Sequence, residues 1–311
     1  MKNVILITLT LAATLTIITG FTSVNRSKQM PSVQLNIKDL SEHGVVIVPP
    51  SDPSYDKLVE SLLPGTSRES LSTVKPLSFV VKNMTNKTIV SYSLKWEMVS
   101  IDGKTSVRKN NYVAPRALMG EDSTGSPQVI KPNTARFFSL VSALEMNQDP
   151  ENQRGGGFVG TMRPTNSIRN QNDFVASQIE TVKSDVTRYK AITVSIDGLV
   201  FEDGTFVGPD TTGFFDNLKA LQDAKRNILE EVQRDIKQKK SADEVFSKLE
   251  TIANGPKTSL GRAKTATEKY NHYFKRYASE LLSMKKYSDG ETAIKKALKD
   301  LDKNWIKLKK L

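Results

Sequence analysis

Three segments of the sequence hold residues whose types and spacing are used to bind nucleotides or metals. Gly155-x-Gly157-x-x-Gly160 matches the glycine pattern of dinucleotide-binding turns. Gly103-Lys104-Thr105 looks like the end of a phosphate-binding loop. The carboxylates of Asp197, Asp203 and Asp210 are of the type that binds calcium. Each pattern indicates chemistry only in the right structural context.

That context argues against the two nucleotide patterns. A dinucleotide turn needs a helix directly after it, so that the pyrophosphate meets the helix N-terminus; here Arg163-Pro164 follows, and we interpret the glycines as a loop. The first glycine of a phosphate-binding loop would fall on Met98. We therefore predict no cofactor.

A metal site is not predicted either. The spacing of the three aspartates does not match an EF-hand, and two of them begin Asp-Gly pairs that are typical of turns. A calcium site built from loops of distant strands has little linear signature and stays an alternative.

The residues that most often carry catalysis are scarce. The chain has no cysteine and only two histidines, His43 and His272, which excludes disulfides, thiolate metal sites, cysteine nucleophiles and centres with several imidazoles. No G-x-S-x-G or H-E-x-x-H string occurs. We predict a protein that is not an enzyme. A hydrolase of envelope polymers with acidic residues from distant strands stays an alternative.

Positive charge is concentrated at the C-terminus. The 311 residues carry a net charge of +11, and the part from Phe214 onward has 23 Lys and Arg against 14 Asp and Glu. A basic amphipathic helix is typical of segments that touch anionic membranes or polyanions, although a lysine face on a packed helix is more often only solvated. The candidate residues for contact with an anionic surface are Lys295, Lys296, Lys299, Lys303, Lys307, Lys309 and Lys310.

The N-terminus predicts export. Lys2 precedes 18 uncharged residues, Val4–Phe21, which is the layout of a signal peptide over residues 1–23. The length also lies at the lower limit for crossing a bilayer, so an uncleaved membrane anchor is the alternative. We expect a periplasmic or extracellular protein.

Residues 30–212 show the pattern of a β-sheet domain. Residues Ile89–Ile101 alternate, with Tyr92, Leu94, Trp96 and Met98 on one face, and Asp102-Gly103 turns the strand back. Further strands are expected at Leu77–Met84, Ala135–Val141 and Ala191–Phe201. Together with a return strand at Thr205–Val207, these predict an antiparallel sandwich of immunoglobulin type, and with the helices that follow, an α+β fold.

A long irregular segment, residues 143–189, interrupts these strands. It contains the glycines of the loop above and a short predicted helix within 173–186. Loops of this length are often functional. This one is our candidate for a variable binding surface.

Residues 213–311 show helical periodicity. Ser241 with Glu244 and Ser288 with Glu291 predict two capping boxes. The third helix and a fourth helix that runs to Leu308 keep apolar residues at 3,4 spacing, the pattern of a coiled-coil seam. These faces must pack on one another, on the sandwich or on a second chain, so a homo-oligomer is an alternative.

The stretch Ile196–Asp210 and the charged helix after Gly213 resemble a group of exported bacterial proteins in which a sandwich-like region ends in a similar hairpin and leads into helices. The resemblance covers mainly residues 192–232. It implies export and the order of the two regions, and it supplies no activity, cofactor or site residue.

Taken together, these patterns predict an exported, non-enzymatic binding or envelope-associated protein. Its partner would be a protein or an envelope polymer that the sequence does not identify, and its basic helices would contact an anionic membrane surface. We do not expect nucleic acid as a partner, because export separates the chain from the genome.

Overall fold

The computed structural model describes residues 34–64, 66–119, 128–140, 177–181, 184, 187–256, 263 and 265–311. The predicted signal segment and most of the predicted loop 143–189, including the glycine pattern, lie outside these residues. The described part contains both sheets and helices, which confirms an α+β protein.

Nine strands in the described part of the chain form two sheets. They are β1 (Gln34–Lys38), β2 (Val45–Val48), β3 (Ser78–Asn83), β4 (Ile89–Ser100), β5 (Thr105–Val113), β6 (Ala135–Ser139), β7 (Tyr189–Phe201), β8 (Thr205–Val207) and β9 (Lys309–Lys310). The larger sheet has the order β5-β4-β7-β8-β9, with β1 beside the first half of β7, and the smaller sheet has the order β2-β3-β6.

The larger sheet is mixed, whereas the sequence predicted an antiparallel one. β1 pairs with β7 in parallel, and β9 pairs with β8 in parallel. Both parallel strands are joined to their neighbours by long stretches of chain, which parallel pairing requires and a tight hairpin cannot supply.

The two sheets face each other across a shared apolar core. Tyr92, Leu94 and Trp96 of β4 are buried there, as their alternation predicted, together with Phe79 and Phe138 of the smaller sheet. The ring of Phe79 lies 5.2 Å from that of Trp96 and 5.5 Å from that of Phe138, measured between centroids. Period-two alternation therefore identified the inner face of the larger sheet correctly.

Two short helices in this region were missed by the sequence analysis. α1 (Tyr55–Leu62) and α2 (Arg68–Val74) pack on the outer side of the smaller sheet, where Tyr55 and Val59 share a core with Phe137. One further helical turn, α3 (Pro115–Leu118), follows β5.

Among the described residues, four helices follow Gly213. They are α4 (Phe214–Lys237), α5 (Ala242–Asn254), α6 (Ala266–Lys285) and α7 (Gly290–Leu298). Their apolar faces enclose a common core that includes Ile228, Phe246, Tyr273, Tyr277 and Ile294. Three seam residues of the third and fourth predicted helices, Tyr273, Tyr277 and Ile294, are thus buried within this chain, and Leu281, Leu298 and Trp305 are partly buried against the same core.

The helix starts follow local capping chemistry. The predicted capping box of Ser241 and Glu244 is present, and Thr265 with Glu268 forms a second one at the start of α6. The predicted box of Ser288 and Glu291 is wrong, because α7 is capped one residue later by Asp289, whose carboxylate accepts a hydrogen bond from the backbone N–H of Thr292. An aspartate at the N-cap serves as well as a serine.

Candidate functional site

The sequence predicted that the seven candidate lysines lie on one helix. This prediction is wrong. α7 ends at Leu298, so only Lys295 and Lys296 are helical, and Lys299 is the residue after its end. Lys303 lies in the turns that follow, and Lys307 lies in an extended segment. Lys309 and Lys310 form strand β9.

After the end of α7, the backbone forms hydrogen bonds that do not belong to an α-helix. The backbone N–H groups of Asp300 and Leu301 each close a tight turn on a residue three positions earlier, and the indole N–H of Trp305 donates to the carbonyl of Asp300 at 2.9 Å. Leu301 and Trp305 still pack against the helical core. The helical spacing of apolar residues therefore persists beyond the helix itself, which explains the wrong prediction.

The ion pair of Asp300 fixes this turn to α4. Its carboxylate lies 2.8 Å from the ammonium of Lys225 and also contacts Lys303. Burial would raise the pKa of Asp300, but the two lysines outweigh burial and hold that pKa below its ordinary value. Lys303 therefore has a structural role.

The last residues are bound along the edge of the larger sheet. The Ile306 N–H donates to the Leu118 carbonyl, and the Gln222 side-chain amide donates to the carbonyls of both residues, at 2.9 and 2.8 Å. The Lys309 N–H donates to the carbonyl of Gly204, which places β9 beside β8. The C-terminus thus connects the helices to the sheet.

The seven lysines fall into two groups. Lys295 lies 3.8 Å from Glu291, Lys303 contacts Asp300, and Lys310 lies 2.9 Å from Asp210. The other four are exposed and form no ion pair within the described part of the chain; we call them the open lysines: Lys296, Lys299, Lys307 and Lys309. For the open lysines, no carboxylate in the described part of the chain competes with an external anion.

Within the stretch Ile196–Asp210, Asp197 is the carboxylate that accepts the most hydrogen bonds. It is 1% exposed, and its two oxygens accept four hydrogen bonds of 2.6 to 3.0 Å from the backbone and hydroxyl groups of Thr211 and Thr212. Burial would raise its pKa, but these hydrogen bonds outweigh burial and lower it. Asp197-Gly198 lies inside β7, at a bulge, so its interpretation as a turn was wrong.

The other two aspartates of the calcium hypothesis are also occupied. Asp203, at the β7–β8 turn, lies 2.8 Å from the ammonium of Lys87 and accepts a backbone hydrogen bond from Thr205; burial opposes these contacts, yet the pKa falls to about 2. Asp210 binds Lys310 and accepts from the Phe215 N–H. The three carboxylates serve separate contacts. The described residues contain no cluster of three or more His, Asp or Glu that could hold a metal ion.

The two histidines lie in different parts of the fold. His43 ends a short 3-10 turn, 35% exposed, with its ring nitrogen 3.9 Å from Glu42. His272 packs its ring edge-to-face against Tyr273 on α6. The arrangement within the described residues can bind an anion through ammonium groups.

Comparison of the chain with protein-family models, curated proteins and solved structures found no match. None of the helices in the described part is long and apolar enough to span a bilayer.

Proposed function

We propose that this is an exported, non-enzymatic envelope protein whose open lysines contact an anionic membrane surface. The proposal includes an immunoglobulin-like sandwich in residues 30–212, joined to a bundle of helices in residues 213–311. Export is inferred from the charged start and apolar run of residues 1–23.

One observation carries the contact. The open lysines lie on α7, directly after it and on the extended C-terminus. The neighbouring lysines of this segment are paired with carboxylates, whereas the open lysines are not. Exposed lysines near an anionic bilayer contribute about 1 kcal/mol each, so four of them give a useful affinity only together. The excess positive charge of residues 214–311, with 23 basic against 14 acidic residues, supports contact of the same region with an anionic surface.

Self-association through the helical seam has less support. Tyr273, Tyr277 and Ile294 are buried against α4 and α5 of the same chain. Because these apolar residues are already covered, the seam does not require a second chain.

Binding to anionic vesicles tests the contact. We expect the full chain to co-sediment with phosphatidylglycerol vesicles and not with neutral vesicles, and we expect replacement of all four open lysines by glutamine to weaken binding at least tenfold at low salt. The reason is the loss of about four unit charges near the surface. A matched control replaces by glutamine four other exposed lysines that form no ion pair within the described residues: Lys57, Lys131, Lys190 and Lys219.

The control makes the result specific. If both variants lose binding equally, the net charge of the chain and not the C-terminus attracts the vesicle. Unchanged binding by the open-lysine variant would refute the proposal.

A further inference from the structure

The larger sheet has one face toward the core, and its other face is open to solvent only in part, since Val90 and Val200 are buried there in one cluster with Phe214 and Leu218 of α4. Along β7, Ile192, Val194 and Ile196 are buried, while the residues between them, Thr193 and Ser195, are partly exposed. α4 begins beyond this stretch, where Phe214 packs near Gly198. The first half of β7 therefore has an outer face that none of the described helices covers.

The pairing register places three lysines in a row across this outer face. Lys109 of β5 is opposite Lys95 of β4, Lys95 is opposite Ser195 of β7, and Ser195 is opposite Lys38 of β1. We call Lys38, Lys95 and Lys109 the lysine row. Strands lie about 4.8 Å apart, so the row spans about 14 Å across four strands.

Side-chain contacts confirm that Lys95 and Lys109 point outward. The Lys95 ammonium lies 3.3 Å from Glu97, two residues along the same face. The Lys109 ammonium donates to the carbonyl of Thr212 at 3.4 Å, and Thr212 also contacts Ser93 of that face. On β1, Leu35 and Ile37 pack on the core, so the alternating position Lys38 faces outward, where it is exposed.

The lysine row is electrostatically unfavourable for the sheet alone. Like charges directly opposite on adjacent strands are destabilising, and Lys95 opposite Lys109 is such a pair. Glu97 offsets one of the three charges, and no other carboxylate in the described part forms an ion pair with the row. An anion bound between the ammonium groups would remove this repulsion.

We propose that the lysine row binds a linear polyanion whose carboxylate or phosphate groups repeat along its chain, and that this polymer crosses the strands along the row. The side chains beside the row are mostly hydrogen-bonding: Asn36, Thr193 and Ser195. Glu97 would be repelled from a continuous anionic surface, whereas a single strand of polymer passes beside it. Such a surface fits a polymer better than a bilayer.

This surface is separate from the open lysines. It rests on the proposed function only in that export would bring the sheet into contact with acidic polymers of the envelope. Its failure and the failure of the vesicle contact are therefore distinguishable.

The test measures binding of the full chain to fluorescent poly-glutamate and to polyphosphate. We expect Lys38→Gln with Lys95→Gln and Lys109→Gln to weaken binding at least tenfold at low salt and to reduce the slope of log affinity against log salt by about two, because fewer counterions are released. The matched control replaces Lys57, Lys131 and Lys190 by glutamine and is expected to bind as the unaltered chain does.

Three outcomes would overturn the proposal: unchanged polymer binding by the row variant, an equal loss of polymer binding in the row variant and the control, or a loss of vesicle binding instead of polymer binding in the row variant. Replacing the open lysines is expected to leave polymer binding unchanged. The single change Lys38→Gln, at an exposed position, provides a second variant with an expected loss of about threefold, and thermal unfolding of each variant verifies that it is folded.

Discussion

Replacing Asp197 by alanine is expected to lower the free energy of unfolding by about 2–4 kcal/mol, because it leaves the donors of Thr211 and Thr212 without their carboxylate. Thr211 is exposed, so water recovers part of this loss. Denaturant unfolding of both proteins measures the difference. Asp223→Ala, at an exposed position on α4, is the matched control and is expected to change stability by less than about 0.5 kcal/mol.

The same carboxylate gives a pH dependence with a defined sign. Its pKa is lowered in the folded chain relative to the ordinary value of 3.8, so its ionisation stabilises the fold above about pH 4. The stability advantage of the unaltered chain over Asp197→Asn should shrink as the pH falls below 4 through the folded pKa. An advantage that stays constant down to pH 2 would show that the charge of Asp197 does not contribute.

Replacing Gly208 by alanine is expected to cost about 2–5 kcal/mol. Its φ angle of +119° is one that residues with a side chain rarely adopt, and an added Cβ would lie 2.8 Å from the Asp197 carbonyl oxygen and 3.0 Å from the Gly198 Cα. Both neighbours are backbone atoms in the middle of β7, which cannot move away easily. Thermal or denaturant unfolding measures the loss.

Gly103 supplies the control for Gly208. Its φ angle is +86°, and an added Cβ would meet nothing within 4 Å. Gly103→Ala therefore isolates the backbone strain, at about 1 kcal/mol. If the two substitutions cost the same, the close approach of residues 208 and 197 does not contribute to stability.

The strands were predictable where apolar residues alternate with polar ones. β4 is the clearest case, since Tyr92, Leu94 and Trp96 alternate with polar residues and were assigned to the core correctly. The alternation of residues within a strand does not show which other strand it pairs with. The parallel pairing of β1 and β9 therefore could not be predicted from local periodicity.

The C-terminal helix shows the limit of the 3,4 spacing. Leu301 and Trp305 continue the apolar pattern of α7 and do pack on the helical core, but the chain reaches that core through turns. Tight turns closed by the backbone N–H groups of Asp300 and Leu301 follow the helix end, and hydrogen bonds from Ile306 to Leu118 and from Lys309 to Gly204 then hold the chain along the sheet. Helical periodicity identifies what is buried more reliably than it identifies the conformation of the backbone.

The candidate site was predictable only in part. The excess of lysine at the C-terminus is visible in the sequence, but the division into paired and open lysines depends on acidic partners such as Asp210, which lies 100 residues away. The lysine row has a partial signal, since Lys95 and Glu97 occupy the polar face of β4. Its alignment with Lys38 follows from the register of β1 on β7, which only the structure supplies.

The proposed function requires that the exported chain is held at the envelope by its positive charge. Fractionation of the host cell tests this directly. We expect the protein in the envelope pellet and its release by about 1 M salt, where the screening length falls to about 3 Å. Substitution of the open lysines should move it to the soluble exported fraction without a salt wash. If the unaltered protein is found in a soluble fraction, or if high salt does not release it from the pellet, the proposed electrostatic contact is wrong.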